Sequence, residues 1–134
     1  MKKVSKILLG IVLFIVIMIG GISLFMRHQI NQTYRRLDEV EIVNLSKVED
    51  GTYEGIEETD LVKATVVVTV KDHQITDIQL VRHENGIGTP AEAMIPEMIR
   101  QNTSEVDGIS GATMSGKTIK AAVRNALAQG IKKG

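Results

Sequence analysis

The most conspicuous pattern along the chain is a long hydrophobic run near the N-terminus. Ile7 to Met26 spans 20 positions without a charged side chain, and a helix of that length rises about 30 Å, the thickness of a bilayer's hydrocarbon core. A cleaved signal peptide has a shorter apolar stretch ending in small residues, whereas this run ends in Leu-Phe-Met before Arg27. The pattern therefore predicts an uncleaved membrane anchor over residues 1–28.

After the anchor, the pattern changes twice. Residues 29–48 are polar with scattered apolar positions, which fits either a helical stalk or a solvated linker. From Asp50 onward, residues 51–55 have strand character, residues 61–70 are rich in β-branched residues, and residues 75–81 alternate apolar and polar positions, so three strands are predicted. Because only residues 71–74 connect the last two runs, these strands must be antiparallel.

A first helix is predicted beyond the strands. Thr89, Pro90 and Glu92 combine a capping box with proline at the first helical position. Pro96 is expected to kink or restart this helix, whose inward side chains are expected to be Met94, Met98 and Ile99. Residues 104–109 are predicted to form one more short strand.

The clearest element is an amphipathic helix from Ser115 onward. Its inward positions are Ile119, Ala122, Val123, Ala126 and Leu127. The basic residues Lys117, Lys120 and Arg124 are assigned to its solvent side. Together these elements predict an α+β fold, a small antiparallel sheet packed with helices over residues 49–134, preceded by one N-terminal transmembrane helix.

Composition excludes several classes of function. The chain has no cysteine, hence no disulfide, no thiolate chemistry and no cysteine-linked lipid anchor. His28, His73 and His83 lie far apart without ligand spacing, so no metal site is expected. After Met26, 13 basic residues face 16 acidic ones, which argues against a nucleic-acid partner.

One stretch near the C-terminus carries two competing motifs. Residues 111–118, GATMSGKT, fit the P-loop pattern of nucleotide triphosphatases. A P-loop follows a buried parallel strand in a doubly wound sheet, and a later strand supplies the acid that holds magnesium. Here the preceding residues are mostly polar, only 16 residues follow Thr118, and no acid follows Asp107. The P-loop match is therefore interpreted as accidental.

Four residues earlier, the frame reads DGISGAT over residues 107–113. This segment resembles the D-x-x-S-G-A-T flavinylation signature of the FMN-binding domain found in the C and G subunits of sodium-pumping NADH:quinone oxidoreductase and Rnf-type complexes. DGTYEG at residues 50–55, the strand ending in VRHENGIGTPAEAM, and AAVRNAL at residues 121–127 extend the resemblance to small single-pass members of that family.

The resemblance implies a cofactor and a set of site residues. It implies that Thr113 is esterified through the FMN phosphate by an FAD-dependent flavin transferase. The recognised turn would then contain Asp107, Ser110, Gly111 and Ala112. Ser115, His83, Gly86 and Gly88 are further candidates for cofactor binding.

The residues themselves agree with this chemistry but leave two alternatives open. A phosphodiester anion at Thr113 would lie near a helix N-terminus, where backbone N–H groups and the helix dipole favour negative charge. Read in isolation, Ser110, Thr113 and Ser115 would simply cap the helix. His83 is either a residue near the flavin edge or a solvated loop residue.

We therefore expect a membrane-anchored FMN protein that is an electron-transfer component rather than a stand-alone enzyme. Its partners would be the flavin transferase and membrane redox proteins or the quinone pool. A flavin-binding sensory or accessory module and a plain tethered interaction domain are the alternatives.

The orientation of the anchor is weakly encoded. Lys2, Lys3 and Lys6 precede the span, and Arg27, Arg35 and Arg36 follow it. The tighter, acid-free N-terminal cluster favours a cytoplasmic N-terminus, and the resemblance implies an extracytoplasmic C-terminal domain.

Overall fold

The structure is a computed structural model that describes residues 2–60, 62–84, 92–108 and 113–131. Its helices are α1 (Lys2–Asp38), α2 (Met94–Gln101) and α3 (Thr113–Gln129), with a short 3-10 helix at Leu45–Lys47. Its strands are β1 (Gly51–Glu58), β2 (Lys63–Lys71) and β3 (Gln74–Glu84). Contacts divide the chain into two units, Met1–Thr33 and Tyr34–Gly134. The predicted α+β class is confirmed.

The first unit is the apolar part of α1. Its large side chains are exposed to the surroundings; Leu8, Phe14 and Ile22 are 62%, 67% and 55% exposed. Within the described residues, α1 is the one helix that is long and apolar enough to cross a membrane. A helix that is apolar on all sides is stable where lipid or protein surrounds it, which agrees with the predicted anchor.

The second unit contains a three-stranded antiparallel sheet in the order β1-β2-β3. A turn at Asp72 and His73 joins β2 to β3, and both residues have left-handed backbone with φ of 53° and 62°, as a two-residue hairpin turn requires. The Asp72 N–H donates to the Asp50 carboxylate at 2.8 Å, which fixes the turn. The predicted hairpin is confirmed.

The core lies between one face of this sheet and the helices. The β2 residues Val66, Val68 and Val70 alternate toward the helices and are at most 1% exposed. All the predicted inward residues of the last helix are buried: Ile119, Ala122, Val123, Ala126 and Leu127. β2 therefore presents its period-two apolar face to the buried period-3.6 face of α3.

Gly55 allows α3 to approach β1 very closely. A Cβ atom at this position would lie 1.9 Å from the Ala122 carbonyl oxygen and 2.6 Å from the Ala126 nitrogen. Both are backbone atoms, so no rotamer change could relieve the overlap. The glycine of GTYEG therefore has a packing role that its strand pattern did not reveal.

The α2 helix confirms part of its prediction. Met94 and Met98 are 1% and 0% exposed, and Ile99 packs against the core. Pro96 lies in the first turn, where its missing N–H costs no helical hydrogen bond. The predicted capping residues Thr89 and Pro90 lie outside the described residues.

Residues 34–48 contribute to the same core. Leu37 and Val48 are 1% and 0% exposed. Val48 forms an isolated antiparallel bridge with Ile131, and the Glu49 N–H donates to the Gly130 carbonyl at 2.8 Å. Part of the segment predicted as a stalk or linker therefore packs as domain structure.

Three side chains bond the outer edge of β1. Arg36 donates to the Glu58 carbonyl at 2.9 Å, and Asn125 donates to the Ile56 carbonyl at 2.9 Å. Gln129 donates to the carbonyl of Glu54. Alternate carbonyls of an edge strand point away from the sheet, so these donors satisfy groups that β2 cannot reach.

Two local predictions are wrong. Residues 104–108 form no strand, because the Glu105 N–H bonds the Thr103 hydroxyl at 3.0 Å in a local turn instead of joining a ladder. Arg124 is only 6% exposed and does not lie on a solvent side. The face of α3 that carries it is covered by the end of α1 and by residue Glu105.

Candidate functional site

The predicted attachment residue stands at the start of the longest helix of the second unit. Thr113 is the first residue of α3, its side chain is exposed, and its hydroxyl has no hydrogen-bond partner among the described residues. The first turn of α3 contains no acidic residue. A nucleophilic hydroxyl is thus presented beside backbone N–H groups that lack intrahelical partners and beside the positive end of a helix dipole.

Two further hydroxyls in the first turns of α3 differ in how they are satisfied. Thr118 is fully buried and donates to the Met114 carbonyl at 2.7 Å. Ser115 is 3% exposed, yet within the described part of the chain its hydroxyl has no partner. A buried hydroxyl without a partner is costly, so Ser115 is a polar group in need of a ligand or a neighbour.

Lys117 lies one helical turn after Thr113 and adds positive charge to this end. Its ammonium donates to both carboxylate oxygens of Asp38 at 2.6 and 2.8 Å and lies 5.5 Å from the centre of the Tyr34 ring. The side chain is 27% exposed. The prediction that Lys117 faces solvent is therefore only half right, because the last turn of α1 covers part of it.

Residues 104–108, which lead toward Thr113, are buried at one end and exposed at the other. Ser104 and Val106 are both 3% exposed and anchor the segment in the domain. Asp107 and Gly108, the first residues of DGISGAT, are exposed. An approaching protein therefore meets Asp107, Gly108 and Thr113 on accessible surface.

Arg124 holds this segment by a bidentate ion pair. Its Nε and Nη2 atoms donate to the two carboxylate oxygens of Glu105 at 2.8 and 2.7 Å. The hydrogen bond from Arg124 keeps the pKa of Glu105 below its ordinary value of 4.5. Bidentate guanidinium–carboxylate pairs are geometrically specific, so Arg124 sets where residue 105, two positions before Asp107, lies against α3.

The same guanidinium also bonds the end of α1. Its Nη1 donates to the carbonyls of Leu37 and Val40 at 3.4 and 3.2 Å. Carbonyls at a helix C-terminus lack intrahelical partners, and a cation there is favourable. Arg124 therefore joins three segments that are distant in sequence.

The remaining predicted site residues are only partly visible. His83 lies in β3, where its backbone pairs with Ala64. Ser110, Gly111, Ala112, Gly86 and Gly88 lie outside the described residues. The structure thus brings Thr113, Ser115 and Lys117 together on the first two turns of α3, while the turn that precedes them remains a prediction.

Sequence reasoning did not identify Asp38, Tyr34, Glu105 or the buried role of Arg124. The nearest signal was charge: Lys117 and Arg124 are basic residues of an amphipathic helix, and each pairs with an acid on another segment. No sequence spacing indicates which acid that is. In the described ranges, no group of three or more histidine or acidic side chains is placed to hold a metal ion.

This end of α3 lacks the context of a P-loop. The described sheet is an antiparallel meander, not a doubly wound parallel sheet. Lys117, which would have to reach a nucleotide phosphate, is bonded to Asp38. The interpretation of GATMSGKT as an accidental match is supported.

The arrangement suits a phosphodiester. The exposed Thr113 hydroxyl can form the ester bond, and the N-terminus of α3 favours the negative charge of the product. Lys117 supplies opposite charge one turn away.

Comparison with known protein families identifies the family and its cofactor. Residues 62–128, half of the chain, match the FMN-binding domain family. The matched range includes β2, β3, α2, almost all of α3 and the whole DGISGAT segment. A search of curated proteins found no match. The chain therefore belongs to the FMN-binding domain family, and FMN is its cofactor.

Proposed function

We propose that this protein is a membrane-anchored electron carrier whose FMN is attached through a phosphoester bond to Thr113. The observation that carries the proposal is the exposed hydroxyl of Thr113, which has no partner among the described residues and lies at the start of α3 within the SGAT sequence of a chain that belongs to the FMN-binding domain family. FMN accepts and releases one or two electrons, whereas the protein supplies binding, orientation and electrostatics.

The attachment chemistry starts at the Thr113 hydroxyl. Its oxygen attacks the flavin-side phosphorus of FAD, the new Oγ–P bond forms as the P–O bond to the adenylate breaks, and AMP leaves. The hydroxyl proton passes to a base of the flavin transferase. The protein chain contributes an accessible nucleophile. The dipole of α3 and the positive charge of Lys117 favour the negative product at this site.

The membrane part of the proposal rests on α1. We infer that residues 7–26 cross the bilayer with the N-terminus in the cytoplasm, because Lys2, Lys3 and Lys6 cluster before the span without an acid. The flavin domain would then be extracytoplasmic and would receive FMN after export. Membrane redox proteins or the quinone pool would supply or accept its electrons.

The proposal is tested first by the intact mass of protein purified from its native host. We expect a mass increase equal to one covalently attached FMN, mapped to the peptide that contains Thr113. Rapid reduction of this flavin in energised membranes would support electron transfer. Flavin that stays oxidised there would favour the sensory or accessory alternative, and native protein of unmodified mass would overturn the attachment site.

Maturation after export is tested with the domain expressed from residue 34, which retains the buried Leu37 and Val48. In a cytoplasm without the transferase, this domain should fold but carry no covalent flavin. Purified transferase, FAD and magnesium should then flavinylate it at Thr113. Expressed domain that is already flavinylated before the transferase is added would contradict export-linked maturation. So would a full-length chain whose domain is not cleaved by protease added to intact cells.

A further inference from the structure

Lys117 already has a partner in the flavin-free protein, and this partner points to a further binding role. The ammonium is bonded to both oxygens of Asp38 and lies over the Tyr34 ring. Asp38 itself is 58% exposed, so its carboxylate remains well hydrated. An exposed ion pair of this kind contributes only about 0–1 kcal/mol and exchanges readily for a better partner.

Helix geometry directs Lys117 toward the attachment residue. Positions i and i+4 are neighbours on a helix surface, with Cβ atoms about 5–6 Å apart. Side chains lean toward the N-terminus of their helix, which for Lys117 is the turn that contains Thr113. The flexible four-carbon stem of a lysine spans that distance.

We propose, resting on the proposed function, that Lys117 is the counter-ion of the phosphodiester at Thr113 and leaves Asp38 when FMN is attached. The phosphate ester would stand one turn away on the same helix, within reach of the same ammonium, and would offer it a charge-assisted hydrogen bond. In the flavin-free protein, Asp38 therefore holds the Lys117 ammonium at this end of α3, where the ammonium also lies over the Tyr34 ring.

The experiment compares the full-length chain in detergent before and after flavinylation. Asp38→Asn is paired with Glu39→Gln, which removes a charge from the neighbouring exposed residue. We expect Asp38→Asn to lower the unfolding temperature of the flavin-free protein by about 2–4 °C and to leave that of the flavinylated protein unchanged. Glu39→Gln should change neither. Equal losses in both forms after Asp38→Asn would show that Lys117 stays with Asp38 and would overturn the exchange.

A second measurement reports on the phosphate itself. The ³¹P resonance of the attached FMN should shift in Lys117→Gln, return toward the wild-type position in Lys117→Arg, and stay in place in Lys120→Gln. A resonance insensitive to Lys117→Gln would overturn the counter-ion role. Mass spectrometry separates the two proposals. Wild-type protein that gains no FMN at Thr113 would contradict the proposed function itself. Flavinylated protein with equal stability losses in Asp38→Asn, or with a ³¹P resonance insensitive to Lys117→Gln, would contradict only the role of Lys117.

Discussion

The two ends of α3 differ in how their side chains are packed and paired. At the proposed attachment end, residues 113–117, one hydroxyl is exposed, one buried hydroxyl has no partner among the described residues, and one lysine is held by a half-exposed acid. At the packed end, residues 126–131, Ala126 and Leu127 are at most 1% exposed. There, a Cβ on Gly130 would lie 2.6 Å from the Tyr53 ring, and residue 131 bridges Val48. Polar groups at the start of α3 are thus left available for a ligand, whereas Ala126, Leu127 and Gly130 are packed into the domain.

The largest expected effect separates two threonines of the same helix. Thr113→Val should abolish covalent FMN completely while the domain folds normally, because the exposed hydroxyl has no structural partner in the described chain. Thr118→Val is the matched control: it removes a buried hydroxyl that bonds Met114 and should leave the adduct in place. Intact mass after flavinylation measures both, and an adduct that persists in Thr113→Val would reassign the attachment site.

A second prediction concerns the anchored part of α3. Gly55→Ala should destabilise the domain by about 3 kcal/mol, because the new methyl group meets the backbone of residues Ala122 and Ala126. Gly108→Ala serves as its control, since a Cβ there meets nothing within 4 Å. Denaturant unfolding of the flavin-free protein measures both. Equal stabilities for the two variants would mean that α3 can move away from β1 at little cost.

A third prediction tests the ion pair between these two ends. Arg124→Met should cost about 2–3 kcal/mol, because Glu105 and the carbonyls of Leu37 and Val40 lose their donor. Lys120→Met, on the same helix, should cost about 0.5 kcal/mol or less. Thermal unfolding at neutral pH distinguishes them, and similar values for both variants would show that the Arg124 bonds contribute little.

The same pair gives a pH dependence. The folded-state pKa of Glu105 is below its ordinary value of 4.5. Its stabilising contribution is therefore complete above that value and is lost as the pH falls through the lowered folded-state pKa. Glu105→Gln should be less stable than wild type at neutral pH, and the difference should shrink as the pH drops below about 4.5. A difference that stays constant through this range would contradict the assignment.

The smallest expected effect is that of Lys117→Ala on the amount of FMN attached. The proposed nucleophile is Thr113, so incorporation should remain largely intact, with a modest loss of rate from the missing positive charge. The variant and the wild type should both lack magnesium-dependent ATP hydrolysis. Measurable hydrolysis that disappears with Lys117→Ala would restore the P-loop interpretation.

The parts of the fold that the sequence predicted are those encoded over short distances. β-Branched residues over 61–70 and alternation over 75–81, with a four-residue connection, determine a hairpin, and apolar spacing from Ile119 to Leu127 determines the buried face of α3. Arg124 lies on the polar side of that same spacing, yet it is buried because Leu37, 87 positions away, lies against it. Lys117 meets Asp38 across 79 positions. A local hydrophobic pattern carries no information about such partners.

In the candidate site, too, the local sequence predicts some features, whereas others depend on packing between distant segments. Thr113 was predicted from a contiguous seven-residue segment, residues 107–113. The placement of Ser115 inside the domain, and of Asp107 outside it, depends on how α3 and residues 104–106 pack together, which the segment does not encode.

The hydrogen bonds along the outer edge of β1 have a consequence for neighbouring copies of the protein. An edge strand with free carbonyls is a template on which a second chain can add a strand. On β1 the carbonyls of Glu54, Ile56 and Glu58 already accept from Gln129, Asn125 and Arg36. A second chain could extend the sheet there only after displacing all three donors. Copies that diffuse in one bilayer collide often, and at this edge they meet amide and guanidinium side chains in place of an open strand.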